Sequence, residues 1–379
     1  MEHTPVLDRC KAVLSGGAAE AVARWKGPAI GCFPVYSPLE LYHAAGVLPV
    51  GVFGAEGKIE LQHADARFQS FVCSIAKSTL ELAFQKKLGG LGGVIFHSIC
   101  DVARNLASVY KRNFPDLFVE YIHLPQNPNS AAGLAYMESE LRRVLGRVEQ
   151  FFERKATDDD LRKSIRLYNR ARALMRELYA LRASNPEKVS AVEAYQLIRA
   201  GTYLPPDEHS AILQDALVEI RARQGKRMDR IRVIIEGAFC EQPPLGLIEV
   251  LERAGCYVVD DDWVAGWRWF TSDVDETGDP FAALAKAYLD ASRPSSTRHD
   301  WRHPRHEELV ERVRAHQAQA VVFTPAKFCE PALFDYVLFR RTLDREQIPH
   351  LLIEFEEKMW TFERTRTEVE TFAESLLFD

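Results

Sequence analysis

Short runs of aliphatic and β-branched residues alternate with helix-forming stretches towards both ends of the chain, whereas the middle carries helix-forming residues alone. Near the N-terminus, Pro28-Ala-Ile-Gly-Cys-Phe33 reads as a buried strand. Pro38-Leu-Glu-Leu-Tyr-His-Ala-Ala45 reads as a helix stopped by Gly46, and Val47-Leu-Pro-Val-Gly-Val-Phe53 as a second strand. Continuous apolar runs of this length suit strands of a parallel sheet covered on both faces. The plan repeats at once: Gly93-Val-Ile-Phe96 as strand, His97 to Cys100 as turn, Asp101 to Arg112 as helix, Leu117-Phe-Val-Glu-Tyr-Ile122 as strand.

Two matching units lie far downstream. Ile231–Glu236 precedes a turn with Cys240, a helix over residues 244–255 and a strand over 257–262. Residues 320–324 lead through Lys327-Phe-Cys329 into a helix from Glu330 to about Leu343 and a strand at Leu351-Leu-Ile-Glu-Phe355. The expected architecture is α/β: two doubly wound parallel-sheet lobes, residues 1–130 and 230–379, joined by a helical connector over 131–229. In that connector the stretch Phe151 to Asn185 carries Leu161, Ile165, Leu174, Leu178 and Leu181 among charges, as an amphipathic helix does. Asn185-Pro186 and Tyr203-Leu-Pro-Pro206 punctuate it, because proline cannot continue a helix interior. Residues 292–304, rich in Pro, Ser and Arg, read as an exposed loop.

The chain has 379 residues, 47% hydrophobic and 27% charged, so it can bury a sizeable core and is neither disordered nor a small stapled scaffold. Its 48 basic and 54 acidic residues leave a net charge of −6, which argues against a nucleic-acid partner. No secretory signal and no apolar run long enough to cross a bilayer is visible, so a cytoplasmic, non-membrane protein is expected. In that reducing compartment the seven cysteines are free thiols, metal ligands or catalytic groups, not disulfides.

Ligands of open parallel sheets bind beyond the carboxyl ends of the strands, near helix N-termini. Cys100 and Cys329 fall at that place in corresponding units, and Cys73 starts the helix-like run Ile75 to Lys87, where a helix N-terminus favours thiolate. Three such thiolates could hold three irons of a [4Fe-4S] cluster. From spacing alone, ordinary buried thiols are the favoured reading of the same positions. Cys32 and Cys240 also end strands and stand in reserve, Cys10 is peripheral, and Cys256 packs.

His97 and His123 flank strand ends near the crevice, where a proton donor is useful or a histidine simply caps a strand. His299, His303 and His306 have helical spacing, but Pro304 interrupts the face, so a solvated loop is favoured over zinc. Gly89-Gly-Leu-Gly-Gly93 precedes a strand and reads as a tight turn, not a dinucleotide fingerprint, and no phosphate-binding P-loop string occurs. The acidic run Glu354 to Glu357 with Arg364-Thr-Arg366 reads as a solvated helix face or as a polar flap over a ligand.

The segment from Ile30 to Gly51, the Cys73 segment Phe71-Val-Cys-Ser-Ile-Ala-Lys77, His97-Ser-Ile-Cys-Asp101 and Lys327-Phe-Cys-Glu-Pro331 together resemble the benzoyl-CoA reductase and 2-hydroxyacyl-CoA dehydratase family. The resemblance implies a two-lobed α/β subunit in which Cys73, Cys100 and Cys329 carry an iron–sulfur cluster, [4Fe-4S] or double-cubane. The implied partners are a homologous cluster-bearing subunit, separate ATP-hydrolysing activator subunits, ferredoxin as electron donor and a CoA thioester. The implied reaction is two-electron dearomatisation of benzoyl-CoA to cyclohexadiene-carbonyl-CoA, with His97 or His123 near the proton path. A dehydratase subunit of the same family is the first alternative, and a non-enzymatic two-lobed binding or scaffold protein the second. One departure stands out: many relatives carry Gly-Gln shortly before a C-terminal Thr-Arg, whereas here Thr361-Phe362 precedes Thr365-Arg366.

Overall fold

The computed structural model describes residues 5–34, 36–237, 240–263, 271–290 and 300–378; His299 and most of the expected 292–304 loop lie outside them. The N-terminal half contains α1 (Pro5–Trp25), β1 (Ala29–Cys32), α2 (Leu39–Ala44), β2 (Leu48–Gly51), α3 (Ser74–Phe84), β3 (Gly93–His97), α4 (Asp101–Asn113) and β4 (Phe118–Ile122). Four helices follow: α5 (Ala131–Phe152), α6 (Asp158–Ser184), α7 (Ala191–Ala200) and α8 (Pro206–Ala222). Next come β5 (Ile231–Glu236), α9 (Leu245–Arg253), β6 (Cys256–Asp261), α10 (Pro280–Asp290), α11 (Arg305–Ala315), β7 (Ala320–Phe323), α12 (Glu330–Arg345), β8 (His350–Leu352) and α13 (Glu363–Phe378).

The strands form two all-parallel four-stranded sheets, ordered β2-β1-β3-β4 and β6-β5-β7-β8. The two orders are the same once the second sheet is renumbered, as expected from the paired units. In each sheet the order reverses between the first and third strands, which opens a crevice at their carboxyl ends. Gly93 is required where β3 meets β4, since a Cβ there would sit 2.0 Å from the Phe118 carbonyl oxygen.

The single helix anticipated over 151–185 is two helices. α5 ends with Glu153 in the left-handed region at φ 53°, and α6 begins with a capping box in which Thr157 and Asp160 satisfy each other's backbone N–H groups. The Thr157-x-x-Asp160 signal is visible in the sequence, but the apolar periodicity running across it concealed the break. The last strand is also shifted, occupying 350–352 with an isolated bridge from Ala326 to Phe355 beyond it.

α6 ties both sheets together through buried charge. Arg172 donates to Glu40 on α2 at 2.7 Å and to the Asn169 amide oxygen, while ten residues on Arg182 donates to Asp261 at the end of β6 at 2.6 Å. Arg182 and Asp261 are both fully buried, Tyr179 donates a second hydrogen bond to Asp261 at 2.8 Å, and the guanidinium stacks 4.3 Å from the Tyr179 ring. A charge buried without its partner is far more costly than either the intact pair or an apolar replacement of both. Around these pairs one continuous apolar core runs from α1 through the connector helices to α13.

Replacing Arg182 with Met should destabilise the chain by about 3–5 kcal/mol in denaturant unfolding, and adding Asp261→Asn should recover much of the loss because no buried charge then remains. A second expectation concerns acid. Burial pushes His97 down to about 3 and His209 down to about 4, the latter despite a 3.0 Å contact with the Leu197 carbonyl. Both stay neutral in the folded chain, while an unfolded imidazole takes up a proton below its ordinary value. Their contribution is therefore present above about pH 6.5 and lost as the pH falls towards 3. The urea midpoint should drop across pH 6.5 to 4, and His97→Met, which keeps volume and removes the titration, should flatten that drop.

Candidate functional site

Three loops bring a thiol to the N-terminus of a helix. Cys100 follows β3 and caps α4, its Sγ accepting the Ala103 N–H at 3.3 Å; Cys329 follows β7 and caps α12; Cys73 caps α3, the crossover helix between β2 and β3. Phe328, just before Cys329, is held in the left-handed region at φ 65°, an uncommon conformation for a bulky side chain. Backbone strain of this kind concentrates at functional sites.

Cys73 feels the other two thiols. Burial raises the Cys73 thiol well above the ordinary range, and the neighbouring Cys329, Glu241 and Cys100 charges raise it further, opposed by the Ala76 N–H. Burial also raises Cys100, against the Ala103 and Val102 N–H groups. A cation placed among thiols whose ionisation is opposed by burial and by neighbouring negative groups favours their thiolate form. Among the described residues no three His, Cys, Asp or Glu side chains close on a single ion. A multi-iron cluster binds each thiolate on a different iron and so does not need that closure, and an all-thiol donor set at three helix N-termini fits it.

Two carboxylates from the second lobe lock α3 in place. Glu241 accepts the Ile75 N–H at 3.0 Å, and Glu357 accepts from the Ser78 hydroxyl at 2.6 Å and the Gly57 N–H at 3.2 Å. Burial pushes Glu241 up to about 8, with Glu357 adding to the rise. Of the acidic run 354–357, Glu357 is thus a cross-lobe hydrogen-bond acceptor and not part of a solvated face. Arg364 and Arg366, in contrast, form i,i+4 pairs with Glu368 and Glu370 on the exposed side of α13.

Several cavities open on the chain, and one of them is lined by a thiol. One of about 710 Å³ opens over Cys100 and is lined by Ser98, Arg104, His123, Glu330 and Phe334. Another of about 360 Å³ lies past Glu241 and is walled by Phe53, Tyr195, Arg199, Gln242 and Trp360. A third cleft of about 510 Å³, with Arg230, Glu252 and Tyr257, sits at the amino ends of β5 and β6, the end of a parallel sheet that does not hold ligands.

The structure thus brings Cys73, Cys100 and Cys329 into one neighbourhood and places His123, exposed and edge-on to Tyr121 at 4.7 Å, in the cavity over Cys100. His97 is fully buried at the end of β3, with no hydrogen bond to either ring nitrogen. Cys32 and Cys256 are raised to about 12 by burial, Cys10 to about 11, and Cys240 is buried. Cys10 is buried on α1. His303 pairs with Asp300 at 3.2 Å. Glu241, Gln242 and Arg199 went unnoticed in the sequence, since single polar residues in a loop or on a helix have no spacing signature.

A family model described as 2-hydroxyglutaryl-CoA dehydratase, D-component, matches residues 34–376. The chain is 37% identical to the benzoyl-CoA reductase C subunit of Thauera aromatica, covering 99% of both chains. It is 30% identical to the (R)-phenyllactyl-CoA dehydratase beta subunit of Clostridium sporogenes and 30% identical to the lactoyl-CoA dehydratase beta subunit of Anaerotignum propionicum, in each case over 92% of this chain and 91% of the relative. With thiols at three helix N-termini, twin parallel sheets and this match over most of its length, the chain belongs to the 2-hydroxyglutaryl-CoA dehydratase D-component family.

Proposed function

We propose that this chain is the C-type subunit of a benzoyl-CoA reductase, acting in the cytoplasm as part of a hetero-oligomer that reduces the aromatic ring of benzoyl-CoA by two electrons. The observation that carries the reading is end-to-end similarity to a reductase C subunit, at higher identity than to the dehydratase beta subunits. Cys73, Cys100 and Cys329 hold an iron–sulfur cluster, supported by their shared neighbourhood and their all-thiol chemistry. Bound there, such a cluster supplies single electrons at low potential.

The chain's own groups do the rest. The N-terminal dipoles of α3, α4 and α12 favour the three thiolates. Glu241 and Glu357 hold the first turns of α3, and with them Cys73, against the second lobe. His123 stands in the cavity over Cys100 and is the histidine placed to carry a proton to a reduced ring. Sealed and neutral, His97 packs β3 against its neighbours.

Electrons come from outside, through ATP-hydrolysing activator subunits fed by ferredoxin, and the complex is completed by a homologous partner that bears a second cluster. The face that receives this partner is the exposed apolar side of α12, with Phe334 68%, Val337 50% and Leu338 50% exposed beside Cys329. Contiguous apolar exposure beside a functional site marks an interface.

Anaerobically purified protein should be brown and contain iron and sulfide. Cys73→Ala, Cys100→Ala and Cys329→Ala should each lose most of both, and retention of iron in all three would refute the ligand assignment. Assays with activator, ATP and reductant should give ring reduction of benzoyl-CoA; turnover of 2-hydroxyacyl-CoA instead would move the chain to the dehydratases. Introducing glutamate at Val337 and Leu338 should abolish co-purification with the homologous partner while leaving the melting temperature of the isolated chain within a few degrees.

A further inference from the structure

Adding two electrons to an aromatic ring to make a cyclohexadiene also adds two protons, so the reaction proposed above needs two proton deliveries at the ring. His123 accounts for one of them. His97 is sealed in the core and cannot reach a substrate for the other. Tyr121 lines the same 710 Å³ cavity over Cys100 as His123, together with Ser98 and Arg104.

The fold places this phenol firmly. Tyr121 pairs with Phe96 of β3 and stands one residue short of the carboxyl end of β4, the end at which parallel sheets hold ligands. The turn around it is pinned by three hydrogen bonds: the Ser98 N–H to the Ile122 carbonyl at 3.0 Å, the His123 N–H to Glu140 at 3.1 Å, and the Leu124 N–H to the Ser98 Oγ at 2.7 Å. The Tyr121 ring meets the His123 ring edge-on, with centroids 4.7 Å apart and planes at 75°.

Its surroundings suit a group that holds a proton and then releases it to a strong base. Burial pushes the phenol up to about 12, against the Arg104 guanidinium; Cys100 and Asp101 add to the rise and the Ser98 hydroxyl opposes it. Because the Ser98 oxygen already accepts from Leu124, the Ser98 proton is free to turn to the Tyr121 oxygen. The phenol's own proton is then left for a partner in the cavity. A ring that has taken up an electron is a strong base, so a weak acid suffices, and Arg104 and Ser98 stabilise the phenolate that remains.

We propose that Tyr121 is the second proton donor to the ring, working beside His123 in the cavity over Cys100. The assignment rests on the reductase reading above and adds a residue to it. Two electrons enter the ring from the low-potential supply of the complex. One C–H bond forms with the proton of the Tyr121 O–H and one with a proton carried by His123. The O–H electron pair stays on the phenolate, which water then re-protonates.

Turnover of benzoyl-CoA in D2O by the complete complex, with activator, ATP and reductant, tests it. Each of the two reduced ring carbons becomes a CHD centre, and the unmodified complex should give a single configuration at both. Tyr121→Phe keeps the ring and its edge contact with His123, so iron content and melting temperature should stay unchanged. Its kcat should fall at least about a hundredfold with KM within about threefold, and one of the two CHD centres should lose its configuration because water then protonates that carbon from either face. A Tyr121→Phe product with unmodified configuration at both centres would overturn the assignment whatever the rate, as would a kcat within threefold of the unmodified complex. Configuration is read on the product formed, so it decides the matter even where the variant folds in low yield. An unmodified complex that leaves the ring intact would overturn the reductase reading and the assignment with it.

Discussion

Two arginines on one helix hold this molecule together. Arg172 and Arg182 lie on the connector α6, about 15 Å apart along its axis at 1.5 Å per residue, and each is buried against a carboxylate of a different lobe. Burying a guanidinium with a carboxylate contributes little net stability compared with an apolar contact, but it is intolerant of misalignment. An alternative docking of either sheet on α6 would leave a charge in the core. The relative placement of the two crevices, and hence the meeting of thiols from both lobes, follows from that constraint.

Within the placement so set, finer contacts position the thiols. Glu241 and Glu357 reach from the second lobe to the first two turns of α3, so Cys73, which belongs to the first lobe, is registered against Cys329 of the second. The arrangement has an electrostatic cost, because Glu241 and the other thiols raise the proton affinity of Cys73 in a poorly solvated space, and Glu357 raises that of Glu241. A cation bound among these groups would relieve this cost.

Legibility in the sequence tracked the range of the interactions involved. Each of the four β-α-β units was readable, because a parallel strand is a short apolar run and its helix begins at a recognisable cap. Cys100 and Cys329 could be placed at strand ends for the same reason. The break at 153–157 was hidden because apolar periodicity continues on both sides of it, although the Thr157 capping box is written in the chain. Glu357 misled in the other direction. In an acidic run it looks solvated, and only its partners Ser78 and Gly57, some three hundred residues earlier, draw it inside.

The sequence by itself determined the element order, the parallel character of both sheets and the three cysteines worth considering, since these depend on periodicity and on neighbours a few residues away. Only the tertiary structure decided that Cys73 lies within electrostatic reach of Cys329 and Cys100, that His97 is sealed while His123 faces a cavity, and that Glu241, Gln242 and Arg199 line one cavity. Those outcomes depend on packing between segments that the chain separates by tens to hundreds of residues. Such pairings leave no local pattern, because a buried carboxylate and an exposed one are the same letter until the fold chooses its partner.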